Sequence, residues 1–444
     1  MTTRALGLWP ATALVIGHTI AVGIFLTPAE LIGALASPGL VITLWTVFGL
    51  LVLFGALTFG ELASRYPHAG GPYIFLREAW GPRVAFLYGW QCLLVMDPGV
   101  IAALAAGLAE YLPVAWHDAA PYARRGAVGV IWVLAAVNVS GIGISARVMT
   151  TLTALKLAAL AAIVILAFTI GGGSPTHFQP FWQRPPGAPP IGEALALGCV
   201  AAFFSFGGFW EASRVAGEVR DPQRTLPKAL AIGVGVVAAA YLVTSLAFIY
   251  LVRPDHVTSA AAFAGSAGGA LFGSDGGRIL AIIVVVSIVA SMMGLVLMAP
   301  RVYYAMSRDG LFPRALARLH PRRGVPDRAT LLLAALATFF VFVGTFQQIV
   351  SFFICSAIAF VTLAIAGLFV LRRRTSTYAG FRVPGYPITP ALFIALVVVV
   401  ITLVLMARPL QALAGITVVL CGLPAYRFLS PAAGPAPAAH EVER

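Results

Sequence analysis

The stretch GHTIAVGIF at residues 17–25 interrupts the first long apolar segment of the chain with small and flexible residues. A second stretch, FFSFGGFW at residues 203–210, interrupts another apolar segment near the middle. We call them the first break and the second break. Broken helices free backbone N–H and C=O groups in an apolar medium, where only a ligand, water or protein can satisfy them. Paired breaks at equivalent places of two halves are typical of transporters built from inverted repeats.

The composition around the breaks is that of a multi-pass membrane protein. The 444 residues are 60% hydrophobic and 10% charged, with a mean hydropathy of +0.94, whereas soluble domains are about 25% charged. A helix of about 20 apolar residues spans a bilayer core, and twelve such segments fit along the sequence. They cover residues 10–36, 39–64, 84–112, 126–144, 150–171, 191–213, 229–252, 279–304, 330–344, 346–371, 391–407 and 410–427. The first is too long for a cleavable signal peptide and is predicted to be a span.

The distribution of basic residues predicts the orientation. With the amino terminus in the cytoplasm, few cations fall in outward-facing segments, and the others, apart from Lys156 within a span, face inward. The outward-facing cations are Arg124, Arg125, Arg184, Arg253, Arg278 and Arg408. Cytoplasmic loops are enriched in Lys and Arg, so we expect both termini inside the cell (inner or plasma) membrane. The net charge of +13 then reflects topology and contact with anionic lipid, and no nucleic-acid binding is expected.

The cysteines argue against an external disulfide. Cys92, Cys199, Cys355 and Cys421 all fall inside predicted spans, so none is placed to form a loop disulfide. We therefore expect no disulfide-linked heavy subunit.

Four loop sequences carry a specific resemblance. They are ELASRYPHAGGPY at 61–73, GEVRDPQRTLP at 217–227, PRVYYAMSRDGLFP at 300–313 and FRVPGYP at 381–387. Their order and their positions relative to the predicted spans resemble those of the amino acid, polyamine and organocation transporter superfamily, and within it the bacterial relatives of the L-amino-acid transporters. The resemblance covers roughly residues 5 to 430.

The resemblance implies an all-α membrane fold of twelve helices in a single domain over residues 1–430. Five helices form repeat one at about 10–171, five form repeat two at about 191–371, and two further helices follow at about 391–427. Residues 431–444 are Ala/Pro-rich, which is typical of a disordered cytoplasmic tail. The implied activity is secondary transport by alternating access, without a cofactor.

The resemblance also assigns the two breaks to substrate binding. Backbone N–H groups at the amino end of a half-helix favour a carboxylate, and carbonyls freed by the Gly-Gly pair of the second break suit an ammonium group. The binding residues that we expect are Ile20, Ala21, Val22, Gly23 and Ile24 in the first break and Phe204, Ser205, Phe206, Gly207, Gly208 and Phe209 in the second. Without the paired break, Gly-Gly alone would indicate close helix packing.

The first break departs from the family pattern. Relatives typically have Ile-Gly-Ser-Gly-Ile-Phe, whereas this chain has Ala21 and Val22 in place of the first Gly and the Ser. Backbone recognition tolerates the change, but recognition by a serine hydroxyl is lost. Because valine is bulkier and stiffer, we expect a narrower pocket or a shorter unwound stretch.

Lys156 is the most informative charged residue. A cation within a span is costly and usually functional, and the resemblance implies that its ammonium stands where sodium-coupled relatives bind the ion. A fixed ammonium repels a second cation and can donate to first-span carbonyls. Transport is therefore expected to be independent of sodium. The alternative is a lysine whose ammonium reaches the cytoplasmic interface.

Four further residues are candidates for coupling or gating. Asp97, before a proline in the third span, is expected to pair with Lys156, to carry a proton, or to form a structural ion pair. His18 has an intrinsic pKa suited to proton coupling, although a structural hydrogen-bonded role is open. Tyr241 matches a tyrosine that relatives place near the first break, and Glu211 lies one turn beyond the second. Phe206 and Phe209 are either an apolar gate or ordinary core.

The expected function is sodium-independent transport of L-amino acids, as an exchanger or a proton symporter. Neither break contains an acidic residue, which favours neutral substrates, although Glu211 could attract a positive side chain. Transport of polyamines or other amines, or amino acid sensing without flux, stays open. The sequence shows no cluster of His, Cys, Asp or Glu at one depth, as an enzyme or a metal site would need. It also shows no repeated filter sequence of the kind that a channel would need.

Overall fold

The computed structural model describes residues 6–20, 23–68, 70–170, 172–253, 260–375 and 378–429. These residues are almost entirely helical, and their only β pairing is a single bridge between Leu6 and Val219. The α-helices are α1 Leu8–Thr19, α2 Gly23–Leu35, α3 Pro38–Arg65, α4 Pro72–Trp80, α5 Pro82–Gln91, α6 Asp97–Ala115, α7 Ala123–Val139, α8 Ile142–Thr169, α9 Ile191–Phe206, α10 Pro222–Leu251, α11 Ala260–Phe272, α12 Gly276–Arg308, α13 Asp327–Val343, α14 Phe346–Arg374, α15 Ile388–Ala407, α16 Pro409–Leu420 and α17 Gly422–Leu429.

Tighter and wider helical turns connect several of these helices. A π-helical turn, Cys92–Met96, joins α5 to α6 in one continuous rod. Such a turn is expected here because Pro98 cannot donate a backbone hydrogen bond to the preceding turn. The 3₁₀ segments are His117–Tyr122, Pro175–Phe178, Phe209–Glu218, Gly273–Asp275 and Arg314–Ala317.

The all-α membrane architecture expected from composition is confirmed. Among the described residues, nine helical stretches are long and apolar enough to cross a membrane. Large apolar side chains such as Leu410, Met406 and Phe428 are 77–82% exposed, as expected of surfaces that face lipid rather than water.

Both predicted interruptions fall at helix ends. The first apolar segment is divided into α1, ending at Thr19, and α2, beginning at Gly23. In the second, α9 ends at Phe206, and the chain continues after Gly207 and Gly208 as a 3₁₀ helix.

Some predicted boundaries were wrong. The span expected over 126–144 ends early, because α7 stops at Val139 and α8 begins at Ile142. The turn between them places Gly141 at φ +137°, a conformation that glycine adopts without steric cost. Helices α4 and α11 were not predicted; α4 is short, and α11 lies entirely outside the predicted spans.

Two of the loop motifs meet at a buried carboxylate. Glu61, at the end of α3, is fully buried and accepts hydrogen bonds from Arg65 (2.9 Å) and Arg372 (3.0 and 2.5 Å) and from the Val383 backbone N–H (2.7 Å). Arg372 also lies over the Tyr386 ring, 3.9 Å from its centroid. A buried carboxylate with several donors holds the three chain segments together.

A third motif joins the same end of the molecule. Tyr73, on α4, donates a hydrogen bond of 2.6 Å to Asp309, and Arg77 donates one of 3.2 Å to the same oxygen. Burial and the Asp309 charge raise the pKa of the Tyr73 hydroxyl, so it stays a donor at physiological pH. The short helix α4 is thereby fixed to the end of α12.

Helix packing forms two groups of contacts in the core, and α8 touches both, since it packs on α12 and on α10. In one group, α10 packs along α3 and α1, and α2 packs along α9. In the other, α12 packs along α6 and α8. The helices that the two breaks interrupt, α1 with α2 and α9, belong to the first group.

Candidate functional site

The two breaks touch each other. Gly208 has φ +102° and lies so close to α1 that a Cβ atom there would be 3.1 Å from the His18 carbonyl oxygen. A side chain at this position would therefore be strained by the backbone and crowded by its neighbour. The double glycine of the second break thus permits close approach of the two chain segments.

Tyr241 links the ends of both broken helices. Its hydroxyl lies 2.6 Å from the Thr19 carbonyl, at the end of α1, and 2.7 Å from the Ser205 carbonyl, in the last turn of α9. The ring packs against Trp45 and Phe206, each with a centroid distance of 5.1 Å. One buried donor therefore serves two carbonyls that the helix ends leave without helical partners.

Lys156 binds the first broken helix from another direction. Its side chain is buried on α8, and its ammonium donates a hydrogen bond of 2.9 Å to the Gly17 carbonyl. The helices approach closely here, since a Cβ atom on Gly17 would lie 3.1 Å from the Thr153 methyl group. The ammonium thus contacts a first-span carbonyl rather than reaching an aqueous surface.

A cavity of about 480 Å³ adjoins the breaks, which is within the range of pockets that hold small molecules. Its wall is mainly apolar, and its polar members are few. The lining residues with polar side chains are His18, Asp97, Thr150, Thr153, Glu211 and Ser291, and the lining glycines are Gly17, Gly207, Gly208 and Gly294. The cavity extends past Leu14 and Pro10 towards Leu6, at the beginning of α1.

The opposite end of this region is covered by a loop. Arg184 donates hydrogen bonds to the Leu35 carbonyl (2.9 Å) and the Ala34 carbonyl (3.1 Å) at the end of α2. The Phe181 carbonyl accepts from the Gly39 N–H at 2.8 Å and from the Ser37 hydroxyl at 3.0 Å. These contacts fix the end of α2 to the segment around Phe181 and Arg184.

Glu211 and Arg214 form a buried ion pair beside the second break. Their charged groups are 2.8 Å apart, and both side chains are 6% exposed. Arg214 also donates a hydrogen bond of 3.1 Å to the Tyr88 hydroxyl. The Glu211 charge is therefore compensated within the protein.

Asp97 lies in the cavity wall immediately after the π-helical turn. Its carboxylate accepts a hydrogen bond of 2.5 Å from the Tyr303 hydroxyl, and Arg214 is near enough to interact with it electrostatically. The described residues do not place it in a salt bridge with Lys156, so that expected pairing is wrong in this conformation.

His18 presents an unused polar atom. The ring forms a hydrogen bond with the Leu14 backbone, whereas Nε2 is buried and has no partner among the described residues. This nitrogen faces Gly294, whose Cβ position lies 3.5 Å away. It is therefore available to a ligand or to water.

The aromatic residues of the second break occupy different surroundings. Phe204 lines the cavity. Phe206 is buried against Trp45, with a centroid distance of 5.7 Å, and Phe209 is buried against Phe59, also at 5.7 Å. Neither Phe206 nor Phe209 is among the residues that line the cavity, so in this conformation both pack as core.

The remaining predicted residues fall as follows. Ile20 and Ile24 are buried on either side of the first break, and Gly23 begins α2. The Ser205 hydroxyl is 2.6 Å from that of Thr27, which ties α9 to α2. Ala21 and Val22 lie outside the described residues.

Two polar residues of the site, Arg214 and Tyr303, were not predicted from the sequence. Arg214 was assigned to an inner loop, although its spacing of three residues from Glu211 is a usable signal, because positions i and i+3 face the same side of a 3₁₀ helix. Tyr303 belongs to a recognised loop motif, but nothing in that motif indicates that its hydroxyl reaches Asp97.

The sequence is similar to those of known proteins over most of its length. The sequence family described as amino acid permease matches residues 6–421. The human cystine/glutamate transporter is 28% identical over 430 residues, covering 95% of this chain and 84% of its own. The mouse b(0,+)-type amino acid transporter 1 is 26% identical, covering 92% and 82%. The serine/threonine exchanger SteT of Bacillus subtilis (strain 168) is 27% identical, covering 95% and 96%.

Proposed function

Because the chain belongs to the amino acid permease family, we propose that it carries L-amino acids across the cell membrane by alternating access. The observation that carries the proposal is the meeting of two broken helices beside a cavity, with Tyr241 and Lys156 bonded to their carbonyls. Relatives whose names specify amino acid transport or exchange cover nearly the whole chain, which supports this activity over an enzymatic one.

The proposed architecture is a domain of twelve spans over residues 1–430. Nine described stretches are long enough to cross a membrane, and the other three spans are the α1–α2 pair, α7 and α13. Helices α7 and α13 have 17 residues each, close to the lower limit for a span. Five spans form each inverted repeat, over about 10–171 and 191–371, and two follow.

The proposed substrate site lies between the breaks. The amino end of α2 supplies backbone N–H groups and a favourable dipole for the carboxylate of the substrate. Carbonyls around Gly207 and Gly208 accept from its ammonium group, and Phe204 contacts its side chain. The unused Nε2 of His18 lies in the same wall and is our candidate for proton coupling.

Sodium independence is proposed from Lys156. Its ammonium donates to the Gly17 carbonyl, an oxygen that a sodium ion at the first break would otherwise be able to use as a ligand. A second cation there would also be repelled by the fixed charge. Exchange and proton symport both remain consistent with this arrangement.

The charges around the cavity favour neutral substrates. Asp97 and Glu211 lie in the wall, while Arg214 pairs with Glu211 and Lys156 lies behind the first break. The two carboxylates are thus balanced by two cations. A zwitterionic amino acid adds no net charge to such a site, whereas a polyamine would add several uncompensated positive charges.

The described conformation fits an inward-facing state of this cycle. If both termini are cytoplasmic, the cavity opens to the cytoplasm at the beginning of α1, and the Arg184 loop closes the outer end. We also propose that the protein works without a disulfide-linked partner. Cys421 is its only exposed cysteine, and it lies between α16 and α17.

Uptake into proteoliposomes tests the function. Vesicles preloaded with unlabelled amino acids are expected to take up labelled neutral L-amino acids, equally in sodium and in choline buffer. Putrescine and spermidine are the comparison substrates. Uptake of these amines alone would contradict the amino acid assignment, and ligand-induced thermal stabilisation without flux would indicate a sensor.

A further inference from the structure

A second cavity, of about 400 Å³, lies on the outer surface of the helical domain, away from the breaks. It is a groove between the first turns of α5 and α17, the last helix of the described residues. Its lining residues are Arg83, Leu87, Leu423, Pro424, Tyr426 and Arg427. None of them takes part in the proposed transport site.

The two arginines of the groove lie near the ends of stretches that are long enough to cross a membrane. Arg83 is the second residue of the stretch Pro82–Ala115, and Arg427 is two residues from the end of the stretch Pro409–Leu429. Both stretches are long and apolar enough to cross a membrane. The side chains of both arginines are exposed, and the described residues provide neither with an ion pair or a hydrogen bond. The groove therefore presents two positive charges that no described residue compensates, near the ends of two stretches long enough to cross a membrane.

The walls of the groove are apolar and well fixed. Gly422, at the start of α17, packs so closely on α5 that a Cβ atom there would lie 2.8 Å from both Leu87 and Trp90. The Trp90 indole donates a hydrogen bond of 2.9 Å to the Val418 carbonyl, and the Tyr426 ring packs on Phe86 with centroids 5.2 Å apart. The shape of the groove is thus set by packing between α5 and α17.

We propose that this groove binds the headgroup of an anionic phospholipid. Arg83 and Arg427 contact the phosphate, since guanidinium groups match phosphate geometry and charge. The acyl chains lie along Leu87 and Leu423 towards the bilayer. Basic pockets between membrane helices on the cytoplasmic side are suited to such headgroups, and free inorganic phosphate shares the same recognition chemistry.

The test measures thermal stability of the purified full-length protein in a neutral detergent. The probes are dioctanoyl phosphatidylglycerol, dioctanoyl phosphatidylcholine and inorganic phosphate at matched concentrations. Only phosphatidylglycerol is expected to raise the melting temperature, because it combines phosphate, net negative charge and acyl chains. Native mass spectrometry provides a second readout, as retained lipid adducts.

The variant is Arg83→Gln/Arg427→Gln, and the matched control is Arg318→Gln/Arg322→Gln, which removes two exposed arginines from the segment between α12 and α13. Each basic residue at an anionic surface contributes about fivefold in affinity. Removing both arginines is therefore expected to lower the affinity for the lipid roughly 25-fold. The control is expected to bind as the unmodified protein does. An unchanged lipid response in Arg83→Gln/Arg427→Gln would overturn the proposal. Equal stabilisation by inorganic phosphate would overturn the lipid assignment. Should the double variant fail to fold, the same comparison is made with Arg427→Gln alone. An unchanged number of retained lipid adducts in that variant would also overturn the proposal.

Discussion

Replacing Lys156 by methionine tests whether its ammonium group serves transport or only the stability of the fold. Methionine retains most of the length of the side chain but removes the charge and the donor to the Gly17 carbonyl, 2.9 Å away. Loss of a hydrogen bond from a charged donor costs about 1.5–3 kcal/mol. Removal of a buried charge recovers a desolvation penalty of several kcal/mol. Because these terms oppose each other, the free energy of unfolding is expected to change by less than about 2 kcal/mol.

Transport is expected to respond differently. If the Lys156 bond is formed in one conformation of the cycle and broken in another, its loss shifts their relative populations by the same 1.5–3 kcal/mol, which is about 10- to 150-fold. The assay is counterflow uptake of neutral L-amino acids by proteoliposomes, together with thermal stability of the purified variant. Lys228→Met is the matched control, because Lys228 is exposed on α10 and is the other lysine of the chain. Near-normal flux in Lys156→Met would refute the reasoning.

Three further predictions concern the breaks and the ion pair. Gly208→Val is expected to abolish substrate-induced thermal stabilisation, because φ at this position is +102° and the His18 carbonyl crowds the new side chain. The control is Gly235→Val, where a Cβ atom meets open space. Retained substrate binding in Gly208→Val would count against the site. Tyr241→Phe leaves two buried carbonyls without their donor. It is expected to lower the free energy of unfolding, measured with denaturant, by about 1–3 kcal/mol. An unchanged free energy of unfolding would contradict this prediction. Glu211→Gln removes the charge that pairs with Arg214 and is expected to lower the free energy of unfolding by about 3–5 kcal/mol. The double variant Glu211→Met/Arg214→Met removes both charges and is expected to lose less. A larger loss of unfolding free energy in the double variant would contradict this ordering.

The large features of the fold could be predicted because they depend on local sequence. Apolar length fixes where a helix can cross a bilayer, and the small residues at 17–25 and 203–210 indicated where helices end. Boundaries such as that between α7 and α8 were less accurate, since both sides of Gly141 are apolar and hydropathy does not register the turn. Helix α4 was missed because it is short and amphipathic, and lies outside the spans.

The polar partners of the site depend on contacts between residues distant in sequence. Donation from Lys156 to a first-span carbonyl was expected, but which carbonyl accepts, that of Gly17 at 139 positions away, was not. Pairing with Lys156, one of the three alternatives for Asp97, assumed that opposite charges in spans contact each other. Instead, Tyr303 satisfies Asp97 from α12, and Arg214 pairs with Glu211 within its own segment. Burial of Arg214 was unforeseen because the predicted span ended at residue 213.

The two hydrogen bonds at the first broken helix come from different packing groups. Tyr241 lies on α10, which packs along α3 and α1, whereas Lys156 lies on α8, which packs along α12. Under the proposed alternating access, a movement between these groups preserves the bonds from Tyr241, because donor and acceptors move together. The same movement changes the distance from Lys156 to the Gly17 carbonyl. We therefore expect Tyr241 to stabilise the geometry of the breaks in every state, and Lys156 to distinguish one state from another. This difference is why Tyr241→Phe is expected to act mainly on stability and Lys156→Met mainly on flux.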